Sequence, residues 1–429
     1  MQQTSADLSA EPARPVEELE FFSTKSDQET LIRIEGAEVD WVEPPLPLQS
    51  DYPWCPVPWR APLGTLIWLV RTAFSLLSLW IILAVVAAIP IVNFLALGYL
   101  LEVEARVARS GRLLAAFPLL NQAGRLGVIV AGIWVYLLPL RLLSGYAVDA
   151  ELIEPGGPMA RGLRIAVFIM WTAITLLLLL ALARGGTLGS FVNPLGNALW
   201  LLRRLTDQNY LETAGRNVQE FVKLLQLRML FWQGLQGFGV AFAWLLIPTV
   251  CFAALREPGG LPVLVTLLGG LLLVMALMWA PFLQVRYATA RSFRAGFQLR
   301  EIRDLWQYAP LCWTLALLVL YALALPLYVF KIVLLPRDAM WLMTLAFIAS
   351  IYPTRIATGW AYGCAVRRRQ AGLRAHWLLR ALCGWVIWPL MGIYVFILFF
   401  TQFIGAEGKL VLFAHHALLL PAPFFLTLR

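Results

Sequence analysis

Charged side chains are scarce in this chain: Asp, Glu, Lys and Arg together make up 14% of its 429 residues. Soluble globular domains carry about 25%, so that class is excluded at the outset. Histidine is scarcer still, with three residues, two of which, His415 and His416, are neighbours. Adjacent positions on a helix point about 100° apart, so the pair is poorly placed to chelate one metal ion, and no metal site is expected there. The five cysteines, Cys55, Cys251, Cys312, Cys364 and Cys383, are dispersed with no Cys-x-x-Cys. That excludes a disulfide framework and a zinc signature. There is no P-loop, Rossmann fingerprint, nucleophile elbow, His-Glu-x-x-His or aspartate-rich pair, which argues against ATP-driven pumps and familiar enzymes. No cofactor is expected.

What the chain has instead is apolar length. Hydrophobic residues make up 60% of it and the mean hydropathy is +0.74. Residues 126–146, 163–183, 233–255, 261–283, 311–330, 341–363 and 381–404 are mainly apolar runs of about 20 residues, enough helix to cross about 30 Å of hydrocarbon. Backbone polar groups in lipid must be satisfied within the segment, which makes these runs helices. The expected fold class is all-α: a polytopic transmembrane helical bundle of about eight or nine spans, with Pro-broken helices and cytosolic interfacial helices. Eighteen Trp residues agree with this. Several, such as Trp306 and Trp377, fall near span ends, where indole rings favour the headgroup level.

Residues 1–52 hold 12 Asp/Glu against 3 Lys/Arg, leaving them at −9 and the rest of the chain at +18. They form an acidic tail with too few apolar groups to build a core, and are expected to be disordered. Residues 1–22 lack the basic and apolar regions of a cleavable signal. Residues 53–62, rich in Pro and carrying Trp59, suit an interfacial collar. Residues 63–429 form the expected transmembrane domain, in which 63–108, interrupted by Pro90, reads as a broken helix or a hairpin. Asn93 is expected to cap the hairpin turn.

Arginines gather in four stretches, each separated from the next by two apolar runs. Arg106, Arg109, Arg112 and Arg125 belong to the first, Arg203, Arg204 and Arg216 to the second, Arg286, Arg291 and Arg294 to the third, and Arg367, Arg368 and Arg369 to the fourth. The positive-inside rule places all four on the cytosolic side of a cytoplasmic (inner) membrane and favours the hairpin, which keeps the acidic tail cytosolic. Such arginines flank apolar spans and line no folded basic domain, so nucleic acid is not an expected partner. Residues 184–232 read as cytosolic amphipathic helices, one starting at Asn193-Pro194 and one running from Leu211 to Leu225. Leu299, Ile302, Leu305 and Trp306, opposed by Arg300, Glu301, Arg303 and Asp304, repeat the pattern. Residues 410–427, broken by Pro421 and Pro423, read as a re-entrant or interfacial segment.

Three places share an order of apolar run, Pro, aromatic with small neighbours, then Arg: from Pro90 to Arg109, from Pro281 to Arg291, and from Pro353 to Arg367. Duplicated units are common in transporter folds, but membrane helices are rich in Pro and Gly, and coincidence competes with a true repeat. The segment Pro90-Ile91-Val92-Asn93-Phe94, followed by Leu97-Gly98-Tyr99-Leu100-Leu101, resembles a helical hairpin motif of multi-pass bacterial proteins grouped under the domain of unknown function numbered 4013. That resemblance spans about residues 70–145, and Arg294-Ala295-Gly296-Phe297 and Gly359-Trp360-Ala361-Tyr362 have the same flavour. It implies the hairpin and no particular chemistry.

Ionisable residues inside spans are the default candidates for function. Arg355, two residues after Pro353 and about 14 into its run, is the foremost. Next to a broken helix it would hold a carboxylate, phosphate or sulfate group; as a structural ion pair it would meet Glu102 or Glu104. Arg71 and Arg141 are further ligand-binding candidates, with snorkelling to an interface as their rival reading. Glu102 completes the candidate set. Gly359 and Gly363, like Gly234, Gly237 and Gly239, point to close helix packing. The functional expectation is a permease-like or lipid- and anion-interacting protein with no catalytic activity of its own. Membrane lipids and an anionic small ligand are its expected partners. The alternatives are a scaffold or assembly factor that recruits a protein through the acidic tail, and an unfamiliar intramembrane enzyme.

Overall fold

A computed structural model describes residues 53, 55–183, 222–255, 260–330, 340–404, 408–415 and 418–421, with isolated positions between 189 and 219. The tail at 1–52, most of the helices expected between residues 194 and 221, His416 and the end of the terminal segment lie outside the described residues. Among those described there is no β-strand, and the fold is an all-α polytopic helical bundle. Seven of its helices are long and apolar enough to cross a membrane.

The collar folds back on α1 (Pro62–Ala88), where the Trp68 indole donates to the Pro53 carbonyl at 2.7 Å and Thr65 Oγ1 to that of Pro56 at 3.1 Å. Pro62 opens the helix at a position where its missing N–H costs nothing. Ser75, Ser78, Leu79, Leu83 and Ala87 make the buried stripe of α1. Its Leu66, Ile67 and Val70 are exposed, as side chains facing lipid are. Pro90 follows the end of the helix, and a four-residue turn with Ile91 at φ 69° leads into α2 (Asn93–Ser110). Asn93 does not cap: α2 starts without a side-chain cap, and Asn93 Oδ1 is buried with no partner among the described residues. The turn instead closes through backbone bonds such as Asn93 N–H to Ile89 O at 3.0 Å.

The next two helices, α3 (Leu120–Ile153) and α4 (Pro158–Ala183), pair with each other and leave their apolar faces almost wholly exposed. Then follow α5 (Leu227–Phe252), α6 (Gly260–Ala290), the short amphipathic α7 (Leu299–Trp306), α8 (Pro310–Phe330), α9 (Met340–Gln370) and α10 (Trp377–Ile404). Pro139, Pro248, Pro281, Pro326, Pro353 and Pro389 sit inside helices that continue past them. Helices in bundles absorb an interior Pro because neighbours satisfy the freed backbone groups. At Pro90, by contrast, the chain turns.

Helix α2 is the hub. It packs against α5, α6 and α9, and 13 of its 18 residues are buried. Glycines permit this. A methyl at Gly98 would collide with the Leu230 carbonyl, and one at Gly234 with the Phe94 carbonyl, so α2 and α5 cross backbone to backbone. On the other side Gly359 and Gly363 of α9 lie against the carbonyls of Glu104 and Ala108. After α10, a 3-10 turn (Gly408–Phe413) begins a terminal stretch whose Val411, Leu412, Leu418 and Leu420 are buried in the bundle.

Candidate functional site

The hub carries two carboxylates, Glu102 and Glu104, only 1% and 0% exposed. Two residues apart on a helix, they point about 200° from each other and enter different surroundings.

Glu104 faces α9. Its Oε2 accepts from Arg355 at 3.1 Å, and its Oε1 accepts from the Thr358 hydroxyl one turn beyond. Arg355, itself 2% exposed, also donates to Gln284 Oε1 at 3.0 Å and to the Leu418 carbonyl at 3.4 Å. The Gln284 amide nitrogen in turn donates to Leu418 O at 2.8 Å and Gly237 O at 3.0 Å. Burying a charge costs several kcal/mol unless geometry and further hydrogen bonds compensate. Here α2, α5, α6, α9 and the terminal stretch all contribute a group. A second anchor of that stretch is His415, buried against Thr249 at 3.0 Å.

Glu102 faces the ends of α5 and α6. It accepts from Arg106 at 3.0 Å, Arg291 at 3.2 Å, and Arg109 and Gln233 at 3.5 Å. Arg291 follows the last residue of α6 with φ 49°, a left-handed backbone that an L-residue adopts at a cost of about 1–2 kcal/mol. Its guanidinium is turned toward Glu102, and its Nε is buried with no hydrogen-bond partner among the described residues. The three arginine side chains are 16–19% exposed. Three cations thus converge on one carboxylate.

The other two sequence candidates lie elsewhere. Arg71 is exposed on α1 and donates to Asn121 Oδ1 at 3.1 Å. Arg141 is exposed on α3, lining a shallow cavity of about 450 Å³ with Tyr146 and Asp149. Neither is joined to Glu102, Glu104 or Arg355 by a hydrogen bond or ion pair among those described. Of the two acids weighed as partners for Arg355, Glu104 is the one that meets it. Gln284, Thr358 and Gln233 were not singled out in the sequence. The available signal was a polar side chain in an apolar run, and Gln284 follows Pro281 by three. Among the described residues, no group of three His, Cys, Asp or Glu is placed to hold a metal ion.

Residues 209–335 match the family described as "Protein of unknown function (DUF4013)". Over that stretch, less than half of the chain, it is similar to the domain-of-unknown-function-4013 type. The match lies C-terminal to the hairpin on which the sequence resemblance centred, and includes Arg294-Ala295-Gly296-Phe297. It takes in Gln233, Gln284 and Arg291, while Glu102, Glu104 and Arg355 fall outside it. No curated protein and no solved structure matches the chain.

Proposed function

We propose that this protein is a non-catalytic, permease-like component of the cytoplasmic membrane that handles a small anion along α2. One observation carries the reading. Arg355 is buried beside non-helical backbone, its guanidinium shared between Glu104, Gln284 and the Leu418 carbonyl. Irregular backbone at membrane depth is tolerated where it is enclosed by protein or lines a cavity, and intramembrane ionisable residues mark ligand pathways. The Glu104 carboxylate then occupies the place of a ligand anion, and a phosphate, sulfate or carboxylate would bind as Glu104 leaves Arg355. Arg106, Arg109 and Arg291, gathered on Glu102, form the entrance. By the positive-inside rule that entrance is cytosolic.

The rival reading is a scaffold that recruits a protein partner through the acidic tail. Removing residues 1–52 would abolish a scaffold's function and leave a permease working.

The test is native mass spectrometry of the detergent-extracted protein beside the charge-balanced variant Arg355→Met/Glu104→Gln, with anion uptake measured in proteoliposomes. An anionic ligand retained by wild type and lost from the folded variant, together with loss of uptake, supports the proposal. Equal anion content and equal uptake in both proteins overturn it.

A further inference from the structure

A second feature lies apart from the α2 sites, in a groove between α6, α7 and α10. Its wider end, about 740 Å³, is lined by Trp306, Trp377, Arg380, Trp385 and Trp388. Sharing Trp306 and Trp388, it continues into a section of about 470 Å³ bordered by Trp244, Leu272, Met275 and Trp279, with Arg303 at its edge. One end is thus aromatic and cationic; the other runs along the apolar faces of α5 and α6, both of membrane-crossing length.

The charges of α7 are sorted across its two sides. Glu301 and Asp304 are engaged by Arg369 of α9, and Asp304 also by Arg374 at 3.9 Å. Arg303 and Arg380, the two cations of the groove, have no carboxylate within 4 Å among the described residues. Arg380 donates to the neutral Gln307 Oε1 at 3.2 Å, which leaves its charge uncompensated by that contact. Arg303 and Arg380 thus give the groove positive charge that no described carboxylate neutralises, and that charge complements an anion.

We propose that this groove binds an anionic glycerophospholipid. The phosphodiester lies at the cationic end, within the field of Arg380 and Arg303 and among the rings of Trp306, Trp377 and Trp385. An acyl chain follows Trp388, Trp279, Met275 and Leu272 into the bilayer. Basic pockets between membrane helices take anionic headgroups, and indole rings belong at that depth. The apolar continuation selects a lipid over a free phosphate, which would fill only the cationic end.

The experiment titrates purified full-length protein with dioleoylphosphatidylglycerol, dioleoylphosphatidylcholine and glycerol phosphate, reading bound adducts by native mass spectrometry. Wild type should retain phosphatidylglycerol in preference to phosphatidylcholine and bind no glycerol phosphate. Arg380→Gln and Arg303→Gln should each weaken retention about tenfold, in line with the loss of one charged contact to the phosphodiester. Both variants should keep the wild-type melting temperature and any Arg355-dependent anion, which separates this site from the one on α2. Equal retention of the two lipids, unchanged retention in both folded variants, or binding of glycerol phosphate in place of lipid would overturn the assignment.

Discussion

Arg355 on α9 and Glu104 on α2 form an ion pair at 3.1 Å whose members are 2% and 0% exposed, joining two helices across 251 residues of chain. Their helices are pressed together at Gly359, so the pair sits where the backbones are closest. Its energetics make a direct prediction. Arg355→Met leaves Glu104 buried without its cation and should destabilise by about 3–5 kcal/mol. The double variant Arg355→Met/Glu104→Gln removes both charges and should regain most of that loss. Thermal unfolding in detergent measures both; a single variant as stable as the double would contradict the pairing.

Glu102 is the common acceptor of three arginines. Glu102→Gln should lower stability by about 1–3 kcal/mol, because hydrogen bonds to a charged acceptor are lost and three cations face one another. Those arginines are partly exposed, so added sulfate reaches them. The melting temperature of Glu102→Gln should therefore rise with sulfate more steeply than that of wild type. Parallel responses would mean that sulfate does not replace the carboxylate charge lost at Glu102.

Close crossings and open surfaces respond oppositely to a methyl group. Gly98→Ala and Gly359→Ala should each impair folding, since the new Cβ meets a carbonyl of the facing helix. Gly145 in α3 and Gly162 in α4 have nothing within 4 Å of that position. Gly145→Ala and Gly162→Ala should be neutral or stabilising by up to about 1 kcal/mol, the helix propensity gain. Expression and unfolding of the four variants side by side test the placement of α2.

Arg369 joins Glu301 on α7, with side-chain exposures of 22% and 23%. A pair this wet is worth less than about 1 kcal/mol. Arg369→Ala should therefore shift the unfolding temperature far less than Arg355→Met. A comparable loss from both would show that α7 is held to α9 chiefly through this contact.

Several of these relationships were half visible in the sequence. Arg355 stood out because a cation deep in an apolar run has few explanations, yet nothing local chose between Glu102 and Glu104. The choice rests on which face of α2 meets α9, and that follows from the crossing at Gly359 and Gly363. Arg106 and Arg109 read as ordinary flanking cations, but the structure turns both inward onto Glu102. Gln284 carried no motif at all. Its role comes from Leu418, 134 residues away. The three stretches that share a Pro, an aromatic and an Arg fall on α2 with the turn before it, on the end of α6 with Arg291 just beyond, and within α9, and these helices supply Glu104, Gln284 and Arg355.

The all-α fold and the helices of membrane-crossing length follow from the sequence by itself. In an apolar surrounding each backbone N–H and C=O must be satisfied nearby, and a helix does this within one segment. Which helix becomes the hub, which acid faces which arginine, and where Trp306 and Arg380 share a groove were decided only by tertiary structure. Those outcomes depend on contacts between segments far apart in the chain, chosen by glycine-permitted approach and by matching of buried polar groups, and no local pattern encodes them.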